Sequence, residues 1–481
     1  MNPTKAIILL CLILPAIGLL AFGPSSEKTV PKDRVVVDYW EKWTSDEGDQ
    51  MKQIVNDFNN SVGAEKHIFV RYVSISAINQ KTLIATAAGV PPDVAGLWDT
   101  NLAQFAAQDA LEPLDDLAAE YGITAETYKP VYWDACHYDG KLFALISTPA
   151  TIALHYNKKL FHDEAPKLRA AGLDPDRAPA TIDELDRYAK ALDVVDASGH
   201  IARTGYLPME PGWYVSSTYF WFGGNIWDPK TERFTLLDPK VVQAFDWVQS
   251  YSKRLGRDAI NEFRSGVAGG SVNWDSPQNP FLTGVVTMVQ QGPWLANYIL
   301  KLKPSMSGVR SMADEDIHLP LAQRLARCEW AVAPFPSAVP GLKDVTYATF
   351  DTLVIPKGSK HKREAFEFIA YVNRQPVMEK LCNLHSKNSP LRNVSQDFLE
   401  HHKNPYITVF EQLANSPNAR AVLSIPIMPE VSDEMNNAVQ RIALMETTPE
   451  EALRDAQVRL QAKYDRFKEK QVARRALSAA H

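Results

Sequence analysis

Tryptophan is the residue whose placement in this chain suggests chemistry. There are 11 Trp, and Trp40, Trp43, Trp98, Trp213, Trp221, Trp274 and Trp294 fall at predicted strand ends or in polar loops. An indole in a core packs among aliphatics. Here the neighbours are polar or glycine: Glu41, Lys42, Asp99, Asn101, Gly212, Gly223, Gly224, Asn225, Asn273 and Asp275. A flat ring covers the C–H face of a pyranose while carboxylates and amides take its hydroxyls. A buried hydroxyl left unpaired is costly, so such a site needs many short polar side chains. Any one of these rings could equally pack under a loop; the set points to a cleft for a sugar-like solute.

Covalent chemistry has no comparable signature. The sequence lacks GxSxG, HExxH, GxxxxGK[ST] and GxGxxG. His401 and His402 are adjacent, so on a helix they point apart and make a poor metal pair. Asp193–Gly199 lacks the alternating ligands and closing Glu of a calcium loop. Asp115-Asp116 follows Pro-Leu and reads as a solvated helix start. No catalytic residue, metal or cofactor is expected.

The elements that must position a cleft follow from the bulk and the patterning. With 481 residues, 45% hydrophobic and 22% charged, the chain is globular and too long for one ordinary core. A formal net charge of −6 leaves no electrostatic footprint for nucleic acid. Cys11, Cys136, Cys328 and Cys382 form no CxxC pair. The last three are expected as buried thiols, with one bridge among them conceivable in an oxidising compartment.

Lys5 precedes an apolar run from Ala6 to Phe22, broken by Pro15 and Gly18. Such a segment is an export signal, either cleaved or kept as a membrane anchor. Ala21 and Gly23 suit small-residue cleavage positions, but Pro24 would be an unfavourable first mature residue. Leu10 and Leu12 around Cys11 argue against a lipoprotein site. Both outcomes place the rest outside the cytoplasm, in the periplasm or on the outer face of the inner membrane. Residues 1–24 are thus signal or anchor, and 25–33 a polar linker.

Arg34–Tyr39, His67–Val73 and Val94–Trp98 read as strands. They alternate with helices at Asp46–Asn59, Asn79–Ala88 and Leu102–Ala110. That alternation implies a parallel sheet whose ligands lie beyond the strands' carboxyl ends. A second unit follows from Leu142, with strands at Thr151–Tyr156, Val285–Gln290 and Thr352–Ile355. Its helices include one opened by a Thr181/Glu184 capping box, then Asp238–Leu255, Lys362–Val372, Glu434–Met445 and Pro449–Phe467.

Seven short segments follow one another along the chain. They are Val35–Trp40 with Val55–Asn59, Ala88–Val94, Leu111–Asp116, Gly140–Leu145, Leu154–Phe161, Phe281–Met288 with Gly292-Pro293-Trp294, and Ala331–Pro336. In them the chain resembles the extracellular solute-binding proteins of ABC importers, in the carbohydrate-binding group that includes maltose-binding protein. The resemblance implies an α/β, two-lobed periplasmic-binding-protein-like fold of type II, hinged by strands near Pro149–Ile152 and Thr349–Leu353. One lobe would hold 34–149 plus 353–403, the other 150–352 plus 404–470, with a tail at 471–481. It implies a monomer that captures a mono- or oligosaccharide between the lobes and passes it to permease subunits, touching the membrane only through an uncleaved leader.

Trp294 matches the Gly-Pro-Trp tryptophan that stacks on sugar in that group. Trp98 and Asp99 lie near a loop that supplies contacts there, and Trp40, Glu41 and Trp43 follow the first strand. Ala150, near Thr148 and Thr151, stands where maltose-binding protein has a Glu, which makes maltose itself doubtful. Thr349-Phe350-Asp351 replaces the usual small-residue crossing and would place Asp351 in the cleft. The expected ligand set is Trp40, Glu41, Trp43, Trp98, Asp99, Asn101, Thr148, Thr151, Trp213, Trp221, Asn225, Trp274, Asp275, Trp294 and Asp351. Two alternatives stand beside it. One is a polyamine, iron or thiamine carrier on the same fold, iron calling for converging tyrosines such as Tyr347 and Tyr371. The other is a glycoside hydrolase with two carboxylates.

Overall fold

The computed structural model describes residues 30–266 and 274–479. The expected leader, and Asn273 beside Trp274, lie outside the described residues.

The β-branched run Val35–Glu41 (β1) pairs in parallel with Ile68–Ser74 (β2), from Val35↔Ile68 to Glu41↔Ser74. Between them Ser45–Asn60 (α1) buries Met51, Ile54, Val55 and Phe58 on one face. Val94–Ala95 (β3) adds to the other side of β1, giving the order β2-β1-β3. The expected strand to Trp98 stops early, because the chain turns at Gly96 against buried Glu41. A Cβ on Gly96 would fall 1.9 Å from Glu41 Oε2.

Leu145–Thr151 (β4) is buried along its length and is followed, after Ile152, by Ala153–Asn157 (β5). The one strand expected here is therefore two. β5 lies at the centre of a second sheet, with Met288–Gln291 (β6) and Trp330–Ala333 (β7) antiparallel on either side. Thr346–Leu353 (β8) runs antiparallel to β4, with a bulge between Asp351 and Thr352. At its start β8 pairs with Ala419–Arg420 (β9); just past its end, Val354 bridges to Ala95 on β3. β4 and β8 thus tie the first sheet to the second. The strand expected at Thr352–Ile355 begins six residues earlier because tertiary pairing with β4 extends it.

Helices cover both sheets. Ile182–Leu192 (α2) starts at Thr181, whose hydroxyl accepts from Glu184 N at 3.1 Å, while Glu184 Oε2 accepts from Ala180 N at 2.7 Å. Asp238 caps Pro239–Leu255 (α3) by accepting from Lys240 N. Leu295–Leu302 (α4) follows β6. Lys362–Val372 (α5) packs Phe368 against Tyr39 and Phe58 under the first sheet. Gln375–Leu384 (α6), Ile407–Ala414 (α7), Met428–Ala443 (α8) and Pro449–Ala479 (α9) complete the layers. Cys136, Cys328 and Cys382 are free, buried thiols. Among the described residues no helix is long and apolar enough to cross a membrane.

Candidate functional site

The site is built on the β4/β8 ladder, where it meets the carboxyl end of β1. Four acidic and basic side chains form its floor. Glu41 accepts from Tyr39 Oη at 2.6 Å and from Lys42 N at 2.7 Å, and its Oε1 is 3.2 Å from Lys42 Nζ. Lys42 Nζ lies 3.0 Å from Asp351 Oδ1, and Lys387 Nζ lies 3.1 Å from Asp351 Oδ2. Lys387 also donates to Thr148 Oγ1 at 3.0 Å, whose hydroxyl donates onward to Asp351 at 3.0 Å. Burial pushes the Asp351 carboxyl up, but the two ammoniums outweigh it and hold it well below the usual carboxylate range. Burial raises the Glu41 carboxyl despite Lys42.

Lys387 comes from a buried segment after α6, His385–Ser389, entered through Ser386 at φ 55. Asn388 holds that segment to the crossing strand by accepting from Thr151 N at 3.1 Å. Beneath it, buried Lys129 pairs with Glu411 at 2.7 Å and donates to Ser389 O at 2.6 Å.

Aromatic walls rise from this floor around a cavity of about 350 Å³. Trp43, Trp98, Trp213, Tyr214, Trp294 and Tyr298 line it, with Glu47, Thr148, Ala150, Thr349, Phe350, Asp351 and Lys387. Lys42 Nζ sits 4.5 Å from the Trp98 ring centre, and Lys387 Nζ 5.7 Å from Trp43 and 5.8 Å from Trp294. Trp98 and Trp213 are 48% and 39% exposed, unusually open for indoles. Gly292 makes room for Trp294, since a Cβ there would meet the ring at 2.0 Å. Burial raises the half-buried Glu47 carboxyl. Asp99 is buried at the rim, where it accepts from Thr349 Oγ1 at 2.9 Å and Thr100 N at 2.7 Å; burial pushes it up to about 6.

Of the expected ligand set, the structure brings Trp43, Trp98, Thr148, Trp213, Trp294 and Asp351 together on one cavity, with Asp99 at its edge. The rest lie elsewhere. Trp221 is fully buried in the core, its Nε1 donating to Val345 O at 2.9 Å and its ring edge-on to Phe335. Trp274 is 1% exposed and packs behind Trp213 rather than facing the cavity. Trp40 packs against the core, and Glu41 is fully buried behind Lys42, part of the floor but off the cavity wall. Thr151 spends its hydroxyl on Phe410 O at 3.0 Å. Asn101 accepts from Asn79 at 2.6 Å, and Asn225 donates to Trp227 O at 3.2 Å. Asp275 is exposed and reaches the site only as a charge near Tyr298.

Sequence reasoning passed over Glu47, Tyr214, Tyr298, Thr349 and Lys387 as ligand groups. Tyr298 stands four residues after Trp294, hence on its helix face, and Glu47 and Tyr214 adjoin indoles already singled out. Lys387 carried no local signal. Tyr347 and Tyr371 do not share surroundings: the first packs on Tyr214 and Phe220, the second on Phe58. Among the described residues no His, Cys, Asp and Glu cluster could hold a metal ion.

Two sheets joined by a strand pair, with a polar-aromatic cleft over the join, define a two-lobed α/β receptor of type II. The chain belongs to the bacterial extracellular solute-binding protein family, whose model matches residues 42–379. A binding protein of Brucella abortus (strain 2308) is 23% identical over 387 residues, 80% of this chain and 82% of the relative. The maltotriose-binding protein of Pyrococcus abyssi (strain GE5 / Orsay) is 23% identical over 302 residues, 62% of this chain and 54% of the relative. The solved structure of CpMnBP1 with mannobiose bound is 26% identical, with TM-score 0.70, over 88% of this chain and 99% of that one.

Proposed function

We propose that this protein is an extracytoplasmic receptor that encloses a saccharide between its lobes and delivers it to an ABC permease. The observation carrying the reading is the cavity itself: four indoles and two phenols over a floor of fixed hydrogen-bonding groups. Apolar rings suit the C–H faces of sugar units, and Lys387, Glu47 and Thr349 suit their hydroxyls. CpMnBP1 holds mannobiose and the Pyrococcus relative is a maltotriose-binding protein, so mannose- and glucose-based sugars are the first probes. Lobes of 34–149 plus 353–403 and of 150–352 plus 404–470 close over the ligand by hinge motion, because only contacts absent from the open form can drive closure.

Binding without turnover fits the same floor. Asp351 gives its oxygens to Lys42, Lys387 and Thr148, so it is not free to serve as one of the two carboxylates of glycoside hydrolysis. A phosphorylated or carboxylated solute would favour Lys387, but Lys42 and Lys387 are already matched in number by Asp351 and Glu41. A neutral ligand therefore fits better.

Calorimetry against mannose, mannobiose, maltose and maltotriose tests the reading, with Trp294→Ala expected to weaken the best binder by about 2 kcal/mol or more. No heat with any saccharide, and a clear signal with an amine or phosphate, would overturn the ligand class.

A further inference from the structure

Nine non-glycine residues among those described have a φ in the left-handed region, and Ser386, at φ 55, is the only one of them that is buried. It stands one residue past the cap of α6, where Ser386 N donates to Asn383 O at 3.1 Å and Lys387 N to Cys382 O at 2.7 Å. Helices commonly end in this conformation, and the residue there is usually glycine, because a Cβ is strained in it. A buried serine in that place calls for a use of its side chain.

The use is a hydrogen bond from Ser386 Oγ to Asn297 Oδ1 at 2.6 Å. Asn297 lies on α4, which follows Trp294 and carries Tyr298, two rings of the cavity wall. Ser386 directly precedes Lys387 of the floor, whose Nζ sits 5.8 Å from the Trp294 ring centre. The bond thus ties the floor's lysine to the helix of two wall rings. In the proposed division of the chain, Ser386 belongs to the first lobe and Asn297 to the second. Opening of the lobes would break the bond, and only contacts of that kind favour closure. Lys301, further along α4, reaches Asp46 on α1 in the same sense, but at the exposed surface; Ser386 is shielded from water, which strengthens its bond.

We propose that Ser386 and Asn297 form a cross-lobe clasp. Neither side chain lines the cavity. Both are positioning residues, which hold Lys387 in register with Trp294 and Tyr298 and favour the closed form. The clasp rests on the two-lobed receptor reading and deepens it.

Ser386→Gly separates this role from a merely structural one. Glycine relieves the backbone, so the urea midpoint should hold or rise. Affinity for the tightest binder among mannose, mannobiose, maltose and maltotriose should nevertheless fall about fivefold by calorimetry, the usual net strength of one hydrogen bond. Asn297→Ala should weaken binding equally, and the double variant no more than either single. Asn297→Asp keeps the acceptor for Ser386 Oγ and should bind within about twofold of wild type. Without ligand, small-angle scattering should give Ser386→Gly a larger radius of gyration than wild type. Unchanged affinity in Ser386→Gly and Asn297→Ala overturns the clasp. So do additive losses in the double variant, a midpoint that falls in step with affinity, or an Asn297→Asp as weak as Asn297→Ala. Identical scattering of wild type and Ser386→Gly overturns it whether or not a sugar binds. Absence of binding by all four sugars overturns the saccharide reading instead, and the scattering then decides the clasp alone.

Discussion

Asp351→Asn tests the logic of the floor. The side chains of Lys42, Glu41, Asp351 and Lys387 are 7%, 0%, 6% and 8% exposed, so water screens none of them well. As ionised groups they balance, two ammoniums against two carboxylates. Asparagine keeps the volume and one acceptor for Thr148, but leaves two buried ammoniums on Glu41 alone. Removing one member of a buried ion pair costs about 3–5 kcal/mol, because the partner stays charged without compensation. Unfolding stability should fall by about that amount.

The companion variant carries the argument. Asp351→Asn with Lys387→Met returns the floor to neutrality, since Lys42 keeps Glu41 at 3.2 Å. Replacing a whole buried pair is often neutral, so the double variant should recover most of the loss, a coupling of about 2–3 kcal/mol. Urea unfolding at neutral pH, followed by tryptophan fluorescence and linear extrapolation, measures all three proteins. A second readout is acid. The folded Asp351 carboxyl titrates below its unfolded value of about 3.9, so its contribution is complete above that pH and drains away as pH falls below it. Wild type should therefore lose stability more steeply than the double variant below about pH 4. Asp351→Asn within about 1 kcal/mol of wild type, or a double variant as unstable as the summed singles, would refute the account.

Three further outcomes are expected. Trp221→Ala should cost about 3–5 kcal/mol of stability, as a large core deletion does, and leave the sugar affinity of the folded protein unchanged by calorimetry. Asp99 titrates near 6 when folded, above its unfolded value, so stability should decline by about 2–3 kcal/mol as pH rises from 4 to 6 and then level off; urea midpoints across that range check it, and Asp99→Asn should abolish the slope. Asp46 on α1 pairs with Lys301 on α4, one residue from Glu47 and three from Tyr298 of the cavity lining, and both are more than half exposed. Lys301→Ala should therefore weaken ligand binding by no more than about 1 kcal/mol, an effect that disappears near 1 M salt.

The fold was legible where periodicity reports burial directly. Lys362–Val372 reads as a helix from Ala365, Phe366, Phe368 and Ile369, and those bounds are the observed ones. It was less legible where tertiary pairing sets the ends, as for β8, whose first six residues are strand because β4 and β9 lie alongside. α9 runs past Phe467 to Ala479, where its residues are good helix formers without an apolar stripe to announce them. Within the site, polar neighbours proved a poor guide to where an indole sits. Trp98 and Trp221 both have them, yet only Trp98 follows a strand end that faces the crossing. Trp221 lies on a 3-10 helix and satisfies its N–H inside the core. Lys387 could not be found from sequence at all, since its place depends on a buried segment folding back beneath the crossing strands.

The floor of the cavity and the proposed hinge share residues of the crossing strands. Asp351 is on β8, Thr148 is on β4, and Lys387 hangs from a segment held to Thr151 by Asn388. The carboxyl half of β8 is fastened to the first sheet: Thr352 N donates to Leu97 O at 3.1 Å, Ala95 and Val354 exchange bonds at 3.0 Å, and Phe350 N donates to Asp99. Rotation of the proposed lobes about that half would break those bonds. What remains is the stretch where Thr346 Oγ1 accepts from Ile152 N at 2.8 Å and donates to Ile152 O at 2.9 Å. That hydroxyl adds to a ladder that continues through the Ala348↔Thr151 pair, the bond from Ile152 N to Tyr347 O at 3.2 Å and the pairing with β9, so the crossing strands are bonded along their length. A ligand seated on Lys387 and the indoles would therefore rest directly on the two strands that cross between the proposed lobes.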